Sequence, residues 1–435
     1  MVYSAIDISS CQAQLDNCPT AHHVSEYIGR KLVSERFVEV ASQVESERDN
    51  PRNFSASNGF LRQGGAIIAW SAPPQSLHRG IRIIGAHSDS PGLRIHPNPD
   101  ILTFNWRQLG VEIYGGPLLN SWLDRDLSIA GHVVLRGGET KLFSSRSPLA
   151  RISQLAIHLD RDVNERGLTL DKQQHLTPVW ATSPGDSFGS WVSQQCGFGA
   201  NGLEVDEIIA IDARLFDFNS SAIIGVDNSM LASARLDNQV SCWAAIEALV
   251  AVSRVPNADH ASIAVLFDHE EVGSRSATGA AGPLLEHTLE RVAIAHGLDR
   301  AQFLDYLSRS HCVSADNAHA VHPNYPERHD DRHSPLINGG PVVKSNANQR
   351  YATSATSIAP FLSACEAANV PTQEFVSRNN IPCGSTIGPI TATRLGIDTI
   401  DVGVPQLSMH SIREVCGVLD LPMMSVALTA YFSRL

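Results

Sequence analysis

Apolar side chains recur along the chain with more than one period. Near the N-terminus they are spaced by three to five residues, at Val24, Ile28, Leu32 and Phe37, which is typical of the buried face of an amphipathic helix. A proline and a threonine directly before this stretch suit the start of a helix. The pattern predicts a packing helix between Cys18 and Val44.

Short, continuously apolar segments predict buried strands further along. Residues 65–70 and 81–86 are two such segments, and the second ends at His87. Apolar and polar positions then alternate through residues 96–231, as in half-buried β-strands, with Gly-Gly pairs as turn signals. From residue 232 onward, strand-like segments alternate with helical ones, which indicates an α/β sheet layered by helices.

These patterns predict an α/β protein with two units. A mixed sheet with helices on both faces is formed by residues 1–95 and 232–435, and an inserted β-rich domain at 96–231 interrupts it. The length of 435 residues agrees with this division, because one hydrophobic core rarely grows beyond about 250 to 300 residues.

Composition narrows the classes of partner and of site. The chain has 45 Asp and Glu residues against 33 Lys and Arg residues, and its net charge of −12 argues against nucleic-acid and anionic-membrane partners. No apolar run approaches a membrane span of about 18 residues, and no basic segment with an apolar core opens the chain, so we expect a cytoplasmic protein. Eight scattered cysteines without a C-x-x-C pair predict reduced thiols and no sulfur-based zinc site.

Side chains that can bind metals or move protons follow several predicted strands. His87 and Asp89 come directly after the strand at 81–86, and the adjacent Glu270 and Glu271 follow another apolar run. Two neighbouring carboxylates after a buried strand are costly unless cations or a shared proton neutralise them. We therefore expect one of the two to bind metal and the other to act as a general base.

Three further residues extend this set to Asp237, Asp316 and His410. Each alone is compatible with an ordinary turn, helix cap or solvated loop, although a carboxylate such as Asp237 can bridge two cations. All of them lie where α/β sheets place ligand sites, at the carboxyl ends of strands. Nitrogen and oxygen ligands without a thiolate suit zinc, with manganese or cobalt as substitutes.

The ordered motifs of the chain resemble those of the aspartyl aminopeptidase family of di-metal exopeptidases. The similarity covers nearly the whole chain and includes AHSDSPG, RLDNQ, DHEEVGS, SADNAHAVHPNYPERHD, GSTIGPI and SMHSIRE, with TAHHV, VEIYGGPLLNSWLDRDLSIAG and KSNANQRYAT between or before them. It implies a metallo-exopeptidase domain that binds two divalent metal ions per subunit. It also implies hydrolysis of the peptide bond after an unblocked N-terminal Asp or Glu.

The resemblance also implies a role for each site residue. The metal ligands are expected to be His87, Asp237, Glu271, Asp316 and His410. Among them Asp237 corresponds to the bridging carboxylate. Glu270 corresponds to the general base, and Asp89 to the acidic residue that orients His87.

The family further implies how substrates and subunits are held. Lys344 matches a segment that resembles the pocket for the acidic substrate side chain, and His158 resembles a histidine that reaches a neighbouring subunit's active site. The inserted domain is expected to make the dimer contact in a dodecamer built from dimers. Peptides with N-terminal Asp or Glu are the expected substrates.

Two alternatives remain open at this stage. The same ligands could serve a broader di-metal aminopeptidase or an aminoacylase, and a catalytically silent relative could act as a scaffold, although a spare carboxylate such as Glu270 has no use there. The histidines of HPNYPERHDDRHS, namely His322, His329 and His333, lie among prolines and charges. This setting favours an ordered loop at the substrate edge over a third metal site.

Overall fold

The computed structural model describes residues 7–40, 54–73, 76, 79–182, 185–197, 207–255 and 260–433. The α-helices in these residues are α1 (Ser9–Asn17), α2 (Ala21–Ser34), α3 (Val163–Arg166), α4 (Phe188–Gln195), α5 (Leu236–Ser253), α6 (Leu284–Ala295), α7 (Arg300–Leu307), α8 (Ala355–Ala367), α9 (Ile387–Leu395) and α10 (Asp420–Ser433). Within this part of the chain, no helix is both long and apolar enough to cross a membrane.

The strands alternate with these helices and form three sheets. The first half of the chain contains β1 (Val38–Glu39), β2 (Asn58–Gln63), β3 (Ala66–Ser71), β4 (Ile81–His87), β5 (Gly92–Thr103), β6 (Trp106–Tyr114), β7 (Leu127–Leu135), β8 (Thr140–Ser144), β9 (Val179–Ala181) and β10 (Ile208–Asp217). The second half contains β11 (Ala222–Ile224), β12 (Met230–Ser233), β13 (Ala261–Phe267), β14 (His311–Ala315), β15 (Ala318–His319), β16 (Val342–Ser345), β17 (Gln373–Val376), β18 (Asp398–Gly403), β19 (Pro405–Leu407) and β20 (Glu414–Gly417).

A nine-stranded mixed sheet forms the centre of the molecule, in the order β1-β2-β3-β13-β4-β14-β18-β16-β17. The four middle strands, β13, β4, β14 and β18, are parallel. Their carboxyl ends therefore lie at one edge of the sheet, with Phe267 of β13 in register with His87 of β4. This edge collects the polar residues that follow each strand.

Helices cover both faces of this sheet, as the sequence predicted. Alternate residues of β4 point to opposite faces. Ile84 packs in a core with α1, α2, α5, α8 and α10. Ile83 packs in a second core with α6, α7 and α9. The prediction of a mixed α/β sheet with helices on two sides is thus confirmed.

The N-terminal helix is shorter than predicted. Thr20 caps α2 by accepting a hydrogen bond from the His23 amide, and the helix ends at Ser34. Phe37 is buried beyond that end, because Arg36 turns the chain with φ of 66°. The spacing of Phe37 from Leu32 fitted the helical pattern, but Phe37 lies in the segment that follows the helix and packs into the core from there. Residues 41–44 of the predicted helix lie outside the described residues.

The inserted segment has a sheet and a core of its own. Six strands pair in the order β8-β7-β10-β5-β6-β9. They enclose a separate cluster that includes Trp122, Phe143 and Phe188. In contrast, β11 and β12 join β20, β19 and β15 in a five-stranded sheet. The domain boundaries at 96 and 231 stay a prediction, and the strand pairing favours an insertion closer to residues 92–217.

Candidate metal centre

His87 is the innermost nitrogen donor at the polar edge of the central sheet. It ends β4 and is buried. Its Nδ1 lies 3.0 Å from the backbone oxygen of Asp89, an acceptor that places the ring hydrogen on Nδ1. The lone pair of Nε2 then points inward, 3.4 Å from Asp237 Oδ1 and 3.6 Å from Asp316 Oδ1.

His410 repeats this arrangement on the other side of Asp237. Its Nδ1 lies 3.0 Å from the backbone oxygen of Gly116, which belongs to the inserted segment. Its Nε2 lies 3.6 Å from Asp237 Oδ2 and 3.4 Å from Glu271 Oε2. The two oxygens of Asp237 therefore face two separate pairs, each of one histidine and one carboxylate.

Local backbone geometry places Asp237 between the two pairs. It lies at the start of α5, but Asp237 and Asn238 have non-helical dihedral angles and the peptide bond between them is cis. The amide of Asp237 donates to Glu414 Oε2 over 2.9 Å, and the amide of His410 donates to Glu414 Oε1 over 2.7 Å. One buried glutamate thus fixes the backbone of two site residues.

The donor set fits a zinc site. Ligand atoms of His87, Asp237 and Glu271 all lie within 4.8 Å of one another. Asp237 Oδ1 and Glu271 Oε1 are buried and have no hydrogen-bond partner. Buried polar atoms normally have partners, and inward-facing lone pairs repel one another unless a cation or proton lies between them. Imidazole nitrogen and carboxylate oxygen are usual zinc ligands.

The carboxylates of the site are strongly perturbed. Burial is the largest cause that raises the pKa of Glu270 to about 8, and Asp316 and Asp89 add to the shift while His87 opposes it. Burial and the charge of Asp237 raise the pKa of Glu271 well above its usual value. Bound cations would remove much of this repulsion, so the cluster suits a charged metal centre.

Similarity to known proteins agrees with this geometry. Residues 14–432 match the family described as "Aminopeptidase I zinc metalloprotease (M18)". The chain belongs to the M18 zinc aminopeptidases. It is therefore a metalloaminopeptidase, a hydrolase that removes residues from the N-terminus of peptides.

Relatives and solved structures match almost the full length. "Probable M18 family aminopeptidase 2" of Streptomyces coelicolor is 47% identical over 420 residues, covering 96% of this chain and 95% of the relative. The protein of that name from Mycobacterium leprae is 43% identical over 425 residues, with 95% and 96% coverage.

Two solved structures have the same fold. The cryo-EM structure of an Ape4 and Nbr1 complex has a TM-score of 0.90 at 31% identity and covers 98% of this chain and 85% of that one. The S. cerevisiae mApe1 dodecamer has a TM-score of 0.85 at 26% identity, with 100% and 98% coverage.

Asp89 of this M18 aminopeptidase connects the two groups of site residues. Its Oδ1 lies 3.5 Å from His87 Nδ1 and accepts the Glu270 amide over 3.0 Å. Its Oδ2 accepts the Glu271 amide over 3.2 Å and the Tyr114 hydroxyl over 2.7 Å. The carboxylate of Asp89 therefore lies beside the imidazole and fixes the backbone of both glutamates through hydrogen bonds.

Lys344 lies next to this centre, but inside the protein. Its side chain is only 2% exposed, and its Nζ donates to the Asn317 backbone oxygen over 3.0 Å. The same Nζ lies 3.8 Å from Asp316 Oδ2 and 5.0 Å from the centre of the Tyr351 ring. Burial opposes the effect, yet Lys344 and His87 together lower the pKa of Asp316.

His158 is placed apart from these side chains. It is exposed on the short 3-10 turn Ile157–Leu159 of the inserted segment. No hydrogen bond or ion pair joins it to the metal-centre residues within the described part of the chain.

Two residues with structural roles at the site were missed from the sequence. Tyr114 and Glu414 both lie inside motifs of the family, VEIYGG and SMHSIRE, yet neither was assigned a role. Glu414 could have been recognised because it is an acidic residue four positions after His410 and directly before the apolar run VCGVL. Nothing in its own sequence identified Tyr114, because its partner Asp89 is 25 residues away.

Proposed function

We propose that this M18 aminopeptidase uses two divalent cations to remove a single Asp or Glu from the N-terminus of peptides. The observation that carries the proposal is the position of Asp237, whose two oxygens face two histidine and carboxylate pairs. One cation would be held by His87, Asp316 and Asp237, and the other by Asp237, Glu271 and His410. Zinc is the proposed metal, with manganese or cobalt as substitutes.

Glu270 is the proposed general base. When bound, two cations polarise the scissile carbonyl and lower the pKa of a water toward about 7. The Glu270 carboxylate is close enough to His87 and Asp316 for both of their charges to affect its pKa. Glu270 accepts the proton of the attacking water and passes it to the leaving amine. Asp89, which binds the Glu270 amide, keeps the base in position.

Recognition of an acidic first residue requires a local positive charge, because the chain carries −12 overall. Lys344 is the proposed source, and His158 of a neighbouring subunit is proposed to complete the pocket. A cytoplasmic dodecamer built from dimers is part of the same proposal. The dodecameric mApe1 relative supports self-association.

One observation favours broader specificity as the second candidate. Lys344 is nearly inaccessible and its charge already faces Asp316, so an incoming carboxylate would have to compete with that partner. A di-metal aminopeptidase for neutral residues, or an aminoacylase, would use the same ligands. A scaffold without activity is the least compatible, because it has no need for Glu270.

The decisive experiment measures release of Asp, Glu, Ala and Leu from matched dipeptides by the zinc-loaded protein. We expect chelator-sensitive cleavage of the Asp and Glu substrates, selectively weakened by Lys344→Ala. Glu270→Gln should keep its zinc and lose about 10²- to 10⁴-fold in kcat. Cleavage of Leu and Ala instead would replace acidic by broad specificity, and absence of any cleavage with every metal would favour the scaffold.

A further inference from the structure

A cavity of about 470 Å³ adjoins the metal centre and is not used by the proposed mechanism. His319 and Ser408 are among the residues that line it. Ser408 lies two residues before His410, and His319 is close enough to Asp237 and His410 for both to affect its pKa. Tyr351 is part of the wall. The cavity therefore lies close to two of the proposed metal ligands.

The lining of the cavity contains two arginines and no carboxylate. Arg328 and Arg378 both line it, and no Asp or Glu occurs among its lining residues, all of which are described. Arg378 donates to the backbone oxygen of Glu327, and no carboxylate of the described residues lies within ion-pair distance of it. Arg328 lies 3.5 Å from the exposed side chain of Glu327, a contact that water weakens.

The histidines of the cavity add hydrogen-bond donors. Burial lowers the pKa of His319 and of His329, so both rings are neutral near pH 7. His329 Nε2 accepts the amide of His322 over 3.2 Å, which places the ring hydrogen on Nδ1. That Nδ1 is buried and has no partner. The two arginines give the cavity a positive charge that suits an anionic group of a ligand.

The size of the cavity indicates which part of a substrate enters it. Pockets of about 300 to 1,000 Å³ hold whole small molecules, whereas one Asp or Glu side chain would leave most of this volume empty. The arginines are also exposed, while Lys344, the proposed contact for the first residue, is buried against the ring of Tyr351. The space suits the residues that follow the cleaved bond.

We propose that this cavity binds the C-terminal carboxylate of short peptides, through Arg378 and Arg328, while their first residue is removed. The inference rests on the proposed aminopeptidase function and adds a second anchor to it. The enzyme then prefers dipeptides and tripeptides with a free carboxylate over the same peptides as amides. A longer peptide, whose C-terminus lies beyond the cavity, gains nothing from the arginines.

The test compares Asp-Ala and Asp-Ala-Ala, each as the free acid and as the amide, together with the Leu-first counterparts. Charge-assisted contacts predict a KM about tenfold lower for the acids. Arg378→Gln and Arg328→Gln should each reduce the difference in KM between acids and amides. Arg378→Lys should retain part of this difference. Arg30→Gln, an exposed arginine on α2, is the matched control. Binding of the same peptides to zinc-loaded Glu270→Gln protein gives the Kd values of acids and amides without turnover.

The outcomes separate this inference from the proposed function. If acids and amides have equal KM and Kd values when Arg328 and Arg378 are both present, the inference is wrong, even if Asp peptides are cleaved. The inference would also be wrong if Arg378→Gln changed the KM of acids and amides by the same factor. It would be wrong as well if Arg378→Gln changed the preference for Asp-first over Leu-first peptides but left the ratio of amide KM to acid KM unchanged. Cleavage of Leu-first peptides with a preserved acid preference would refute the acidic specificity and support the carboxylate site.

Discussion

Asp89 does not belong to the proposed ligand set, but its hydrogen bonds fix the backbone beside two of the proposed site residues. Its two oxygens accept the amides of Glu270 and Glu271, and Tyr114 donates to one of them. Asp89→Asn would present an NH₂ group to one of these donors, so at least one contact would become repulsive. We expect the variant to bind zinc about 10- to 100-fold more weakly and to lose activity in parallel. Competition with a chromophoric chelator measures the affinity.

Tyr114→Phe is the matched control for this prediction, because it removes a single hydrogen bond and leaves both carboxylate oxygens in place. Its zinc affinity should fall less than that of Asp89→Asn. If Asp89→Asn binds zinc and cleaves peptides as well as the unaltered protein, the orienting role assigned to Asp89 is wrong.

At the scale of elements, a histidine pair joins the catalytic unit to the insertion. His22 of α2 stacks on His132 of β7, with ring centres 3.9 Å apart. Burial is the main cause that lowers the pKa of His22 to about 3, and His132 adds to it. Burial also lowers the pKa of His132. Both rings of this contact are therefore neutral near pH 7.

This contact predicts acid sensitivity with a defined sign. The pKa of His22 is lower in the folded protein than the value of about 6.5 expected after unfolding, so the unfolded chain binds more protons below that pH. The stability that neutral His22 contributes is complete above about pH 6.5 and is lost as the pH falls toward 3. Lowering the pH from 7.5 to 5 should therefore reduce the Tm of His22→Gln less than the Tm of the unaltered protein, by at least about 2 °C. Calorimetry at constant zinc concentration measures this difference.

The exposed His287 provides the comparison, because His287→Gln should leave the slope of Tm against pH unchanged. An equal slope for His22→Gln and the unaltered protein would show that the stacked pair does not limit acid stability.

Only part of the site could be predicted from the sequence, because some site residues depend on contacts between distant elements. His87 and Glu271 follow apolar strands whose pattern is local, so their convergence follows from the rule for parallel strands. The position of Asp237 depends instead on non-helical backbone within α5 and on a bond to Glu414, which is 177 residues away. The burial of Lys344 likewise depends on long-range pairing of β16 with β18. Local periodicity carries no information on such contacts.

At the scale of the whole molecule, the tip of the β5–β6 hairpin is an exposed apolar surface among the described residues. Phe104 is 92% exposed, and its neighbours Leu102 and Trp106 are also exposed. Phe104 and Asn105 both have positive φ, at 50° and 67°. A bulky side chain is unfavourable in that conformation, where Asn, Asp or Gly usually occurs. An exposed aromatic at a strained turn suggests a contact with a second copy of the chain.

Phe104→Asp should therefore separate subunits without unfolding them, since Asp tolerates the turn better than Phe. We expect smaller species in analytical ultracentrifugation and an unchanged far-UV circular dichroism spectrum. If His158 completes a neighbour's site, activity should fall in the same proportion as assembly. Leu304→Asp, at an exposed position of α7, is the control. An intact oligomer with Phe104→Asp would exclude the hairpin tip as a subunit contact, while full activity of dissociated chains would remove His158 from the catalytic site.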